Sequence, residues 1–163
     1  MESVFGDVLA TVIGGCILTF LFFLIREKCF PLPNINGMWH LKNITENSAY
    51  NPYKGMTLGY TAILWCEGNK VSGTTEKVYE DSVNGERNFI GTNRCRGVVD
   101  GYIQKNYFSK DKIILHVVED GFGRESTYSY ELTVQNKTRT LEGVFSTMVA
   151  DQDGYTTWSR EEI

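Results

Sequence analysis

A chain of 163 residues is long enough for one domain with a real core and a short additional segment. Its 13% aromatic content, with only 3 Pro and 16 Gly, suits tightly turned β-structure better than disorder. A net charge of −4 argues against a duplex nucleic-acid binder, which needs a basic surplus, but leaves room for a small phosphate ligand.

The first predicted element is the uncharged run "VLATVIGGCILTFLFFLI" (Val8–Ile25). At about 18 residues it makes roughly 27 Å of helix, near the thickness of a bilayer core. "MESVFGD" ahead of it holds only Glu2 and Asp7, not the basic start of a signal peptide. "IGGC" (Ile13–Cys16) mimics a lipoprotein cleavage site only loosely, because the apolar run continues past the cysteine. The expectation is a single span that stays in place. Arg26 and Lys28 follow it, so the positive-inside rule puts the N-terminus outside and the remainder in the cytoplasm of a cell with an inner membrane. Gly6, Ala10 and Gly14 recur at four-residue spacing beside a second row of Asp7, Thr11, Gly15 and Thr19. Small residues let helices approach closely in lipid, so this face is expected to drive self-association into a homo-oligomer. Residues 4–28 are thus a transmembrane helix with its flank, 29–36 a linker and 37–163 a β-domain.

The β-domain opens with "PNINGMWHLKN" (33–43), whose Gly-x-Trp resembles the first strand of a lipocalin-type barrel. That resemblance implies that Trp39 closes a barrel floor. Strand-like runs follow at 57–67, 70–80, 97–108, 112–119, 125–135, 140–150 and 155–161, with turn signals "EGNK", "SKDK", "EDGFG", "QNKT" and "DQDG" between them. The pattern predicts an all-β fold, an up-and-down antiparallel barrel of about eight strands behind one helix. The stretch from Asn43 to Met56 is the longest irregular one, either a lid or a connection. In the second strand Leu58, Tyr60, Ala62, Leu64 and Cys66 share one face, and Thr57, Thr61, Ile63 and Trp65 the other.

Catalytic signals are sparse. His116 lies in "IILHVV" and reads as a core residue, and no nucleophile elbow, phosphate loop or metal-ligand spacing occurs. No enzyme, cofactor or metal is expected. Cys16, Cys29, Cys66 and Cys95 form no Cys-x-x-Cys pair and read as free thiols of a reducing compartment, where the Asn43 and Asn136 sequons are chance matches. Binding signals are better. Arg94 and Arg96 flank Cys95, and Arg160 stands near the C-terminal end of the last strand. Guanidinium groups grip phosphates and aromatic faces stack on bases. A barrel mouth that joined Arg94, Arg96 or Arg160 to Tyr60, Tyr102, Tyr128 or Trp158 would take a small anionic aromatic ligand.

One span, a short linker and a cytoplasmic barrel opening with "GMW" resemble the transmembrane β-barrel effectors of bacterial cyclic-oligonucleotide anti-phage defence, CBASS and its relatives. The resemblance covers nearly the whole chain and rests on architecture. It implies a barrel that senses a cyclic di- or oligonucleotide, and helices that cluster and disrupt the inner membrane. The family usually has two spans where this chain shows one. The other expectations are a membrane-tethered carrier of an apolar ligand and a packed accessory subunit.

Overall fold

The computed structural model describes residues 2–121, 123–135 and 139–161. The chain separates into two compact units, Met1–Pro31 and Leu32–Ile163. The first contains helix α1 (Glu2–Cys29), in which Val4–Arg26 is long and apolar enough to cross a membrane, with mean hydropathy 2.6 and none of that window buried. The small-residue row of α1 is open: a Cβ added at Gly6, Gly14 or Gly15 would meet nothing within 4 Å. Thr11 and Thr19 donate to the carbonyls of Asp7 and Gly15 at 2.8 Å, so both hydroxyls bond back to their own helix.

The second unit is a closed antiparallel barrel. Its strands are β1 (Gly37–Asn47), β2 (Thr57–Glu67), β3 (Lys70–Ser82), β4 (Gly85–Asn88), β5 (Arg96–Gln104), β6 (Lys112–Gly121), β7 (Arg124–Gln135), β8 (Thr140–Thr147) and β9 (Gln152–Ser159). Each barrel strand pairs with the next, and β1 closes the ring by pairing with β9, from His40–Ser159 to Asn47–Asp153. Closure removes the sheet edges. Eight strands form the wall, and β4 is extra, pairing only with the far end of β3. Sequence reading missed β4, ran the strand after it on to 108 where pairing stops at Gln104, and ran β8 to 150 where it stops at Thr147.

Strict alternation sorts the side chains. On β2, Leu58, Tyr60, Ala62 and Leu64 are buried in the interior, while Ile63 and Trp65 stand outside, as the period of two predicts. His116 is a correction: it falls between the buried Leu115 and Val117 and so faces solvent. Asn43 is wholly buried in the interior, out of reach of any glycosylating enzyme in the folded barrel. Asn136–Thr138 lies outside the described residues. Cys16, Cys66 and Cys95 are free thiols.

The interior has two halves. The half at the linker end is apolar, with Leu64, Val71, Ile103, Ile113, Leu132, Leu141 and Trp158 buried together. Ile35 is buried beneath them, and the Trp39 indole donates to its carbonyl at 2.8 Å. The Arg160 guanidinium covers the Trp39 ring at 4.0 Å and donates to the Met38 carbonyl at 3.1 Å. Gly37 has φ of 103°, and a Cβ there would lie 3.0 Å from the Arg160 guanidinium. That is the physical reason for a glycine two residues before Trp39.

At the opposite end β1 runs on to Asn47, so only residues 48–56 connect it to β2. Met56 is buried and Tyr53 packs against the core. Ser48 and the Ala49 amide both donate to the Ala150 carbonyl, at 3.1 and 2.8 Å. The connection is thereby folded against the β8–β9 turn.

Candidate functional site

Two polar regions lie toward the end of the barrel opposite the linker. One is a groove on the outer wall, about 580 Å³ in volume. Sequence creates it through one extra residue. β2 pairs Gly59 with Tyr79 but Tyr60 with Lys77, leaving Val78 as a bulge that turns β3 away from β5 and into its hairpin with β4. Tyr79 lies against Gly59, where an added Cβ would meet the Tyr79 Cβ at 3.0 Å. His40 and Lys42 reach the groove from β1, Thr57 and Thr61 from β2, and Asp81 and Asn88 from the hairpin. Arg94 closes one side.

Arg94 is fixed by two bonds, from Nε to the Phe89 carbonyl at 3.1 Å and from Nη1 to Glu76 at 2.9 Å. Arg96 meets the other oxygen of Glu76 at 3.1 Å. The Arg94 hydrogen bond holds the Glu76 carboxyl below its ordinary range, so one anion is shared between two guanidinium groups. The cluster keeps a positive surplus beside Lys42. Such a groove can hold a phosphate by its cations and a planar group against Tyr79.

The second region is the polar half of the interior. Tyr60 donates to Tyr128 at 3.3 Å, and the Tyr128 and Tyr130 rings stack 6.2 Å apart. Trp158 donates to Thr156 at 2.9 Å, Thr156 to Asn43 at 2.6 Å, and Asn43 to the Tyr130 hydroxyl at 2.9 Å. Burial raises all three phenols, Tyr128 to about 12, so they stay neutral at ordinary pH. Thr75, Gly97 and Glu119 stand side by side across β3, β5 and β6. The missing side chain of Gly97 makes room for Thr75 Oγ1, which a Cβ there would meet at 2.5 Å, and both Thr75 Oγ1 and Glu119 Oε2 are buried without a hydrogen-bond partner. Burial pushes the Glu119 carboxyl up, against the pull of Lys77.

The single mouth expected from sequence is not assembled. Arg94 lines the outer groove, whereas Tyr60 only forms part of the wall behind it, its side chain buried in the interior. Arg96 is at the groove's margin, largely exposed and committed to Glu76. Tyr128 lies in the interior network. Trp158 is fully buried in the apolar half, and Tyr102 is on the outer wall. Arg160 is at the other end of the barrel, stacked on Trp39 and bordering a separate depression with Arg139 and Thr140. Antiparallel alternation explains the scatter: Arg96 begins a strand that Tyr102 nearly ends, and the last strand brings Arg160 to the floor. Sequence reasoning missed His40, Lys42, Tyr79 and Asn88. His40 and Lys42 stand on the outward face of β1, but only the bulge and hairpin make a groove there.

No protein-family model, curated protein or solved structure matches this chain. Among the described residues, no group of three or more His, Cys, Asp or Glu is placed to hold a metal ion.

Proposed function

We propose that this protein is a membrane-tethered sensor. Its barrel recognises a cyclic di- or oligonucleotide messenger in the cytoplasm, and α1, with its N-terminus outside, anchors it in the inner membrane. Self-association of α1 through Gly6, Ala10 and Gly14 then disturbs the bilayer, as in anti-phage effectors of the CBASS type. The reading is carried by the outer groove of about 580 Å³, where Arg94, Lys42 and His40 converge beside Tyr79. Cations that meet an aromatic face suit a ligand with phosphates and bases. A carrier of apolar cargo is less well served, because Asn43, Thr45, Thr75, Glu119 and Gln152 occupy the interior where such cargo would lie.

The test uses the barrel from Leu32 onward, whose core is contained within that unit. Its thermal melt is followed with cyclic di- and trinucleotides and with fatty acids. A ligand at a hundred times its dissociation constant stabilises by about 2.7 kcal/mol, a shift of several degrees. A shift with one cyclic nucleotide that Lys42→Ala and Arg94→Ala each abolish supports the sensor. A shift with fatty acids alone replaces it with the carrier, and no shift with any cyclic nucleotide refutes it.

A further inference from the structure

The barrel end that bears the linker has an unusual surface. Antiparallel alternation gathers there the start of β1, the β2–β3, β5–β6 and β7–β8 connections, and the end of β9. Phe108, at the tip of the β5–β6 connection, is completely exposed, at 105% of its reference area. Tyr107, Tyr102, Trp65, Ile63 and Met38 are each about half exposed on the same part of the barrel. Met38 pairs with Ile63 across β1 and β2, while Trp65 and Tyr102 flank the beginning of β3. These side chains form an aromatic and aliphatic rim, not a scatter of single residues.

Charge distinguishes the two ends. In its turns and terminal segment the linker end carries Lys70, Lys105, Lys110, Lys112, Arg139 and Arg160 against Glu67, Asp111 and Glu161. At the opposite end the balance is reversed: the connections and the last two residues of the strands they join carry Glu46, Asp81, Glu86, Asp120, Glu125, Asp151 and Asp153 against Lys54, Arg87, Arg94, Arg96 and Arg124. Exposed aromatics ringed by lysines match the chemistry of a bilayer interface, where amphipathic rings sit at headgroup depth and basic residues meet anionic lipid. Connectivity selects the same end. Seven residues separate Cys29 from Gly37, a reach of at most about 28 Å over eight peptide steps.

We infer that this rim rests on an anionic lipid surface, with Phe108 inserted among the headgroups. The contact holds the barrel in one orientation, acidic end away from the membrane. The rim shares no residue with the outer groove, so the inference stands independently of which ligand that groove takes.

Tryptophan reporters test it in the full chain, reconstituted into vesicles of brominated phosphatidylcholine and phosphatidylglycerol. In a Trp65→Phe background, Phe108→Trp is compared with Val83→Trp, an exposed site on the β3–β4 hairpin at the other end. Both positions are exposed enough for the substitutions to fold. The bromine is expected to quench the Phe108→Trp reporter several-fold more than the Val83→Trp reporter, and equal quenching overturns the inference. The barrel from Leu32 onward gives a second readout by co-sedimentation with the same lipids unbrominated. Lys110→Ala is expected to weaken binding about fivefold, the equivalent of the roughly 1 kcal/mol that one basic residue supplies near an anionic surface. Phe108→Asp is expected to abolish it. Absence of binding, equal binding to pure phosphatidylcholine, or a lipid-free dimer that Phe108→Asp dissolves would each overturn the inference.

Discussion

Replacing Arg160 by alanine separates two roles that sequence reading could not tell apart, phosphate binding and closure of the barrel floor. In the structure its guanidinium lies 4.0 Å from the centre of the Trp39 ring and donates to the Met38 carbonyl at 3.1 Å. A cation over an indole contributes about 0.5–2 kcal/mol according to how far it is desolvated. The hydrogen bond adds about 1 kcal/mol, and less where water competes. Burial draws the Arg160 guanidinium below its ordinary pKa, yet the side chain is only half-buried, so the combined loss is set at about 1–2 kcal/mol. For a domain of this size that lowers the melting midpoint by about 3–8 °C. Scanning calorimetry of the barrel from Leu32 onward reads the shift directly. Arg160→Lys keeps the charge but loses the planar stack, and is expected to recover less than half of it. Ligand affinity at the outer groove is expected to be unchanged, because Arg160 is at the other end. An unaltered midpoint, together with loss of ligand binding, would refute the floor assignment.

Two further perturbations probe the wall and the interior. Gly143→Ala is expected to abolish a cooperative melt by circular dichroism, since the new Cβ would fall 1.9 Å from the Glu131 carbonyl oxygen and 2.9 Å from the Leu132 backbone. A melt indistinguishable from the parent would show that the β7–β8 ladder is placed wrongly. Glu119→Gln carries a pH signature. Burial raises the folded Glu119 carboxyl above the usual 4.5, so the folded state holds a proton that the unfolded chain releases. Stability is then lost as pH climbs from the unfolded value through the folded one. The Gln variant is expected to melt above the parent at neutral pH, with the gap closing below about pH 4.5. A gap of the same size at both pH values would mean that Glu119 is not desolvated.

Sequence by itself determined the parts of this protein that depend on local periodicity. An uncharged run of bilayer length can only be a helix if it is to satisfy its backbone in lipid, and α1 is that helix. Alternation of period two put Leu58, Tyr60, Ala62 and Leu64 on one face of their strand, the face that the barrel turns inward, and turn residues separated the strands well enough to count the barrel. What alternation could not supply was position along and around the barrel. Trp158 and Arg160 share a face with Thr156 in one strand, yet the first fills the core and the second covers Trp39 from below. His116 looked buried because its neighbours are apolar on both faces, and only the register with Asp100 and Ser129 turned it outward. The groove required more still. One residue in excess at Val78 diverts β3 into a hairpin, and that diversion brings Tyr79, Asn88 and Arg94 beside His40 and Lys42 from the first strand. A single-residue bulge leaves no mark on hydrophobic periodicity, whereas its effect on strand direction places side chains that are far apart in the chain. Tertiary structure therefore decided where the cations of this barrel meet, and sequence decided only that it would have an inside, an outside and an apolar helix ahead of it.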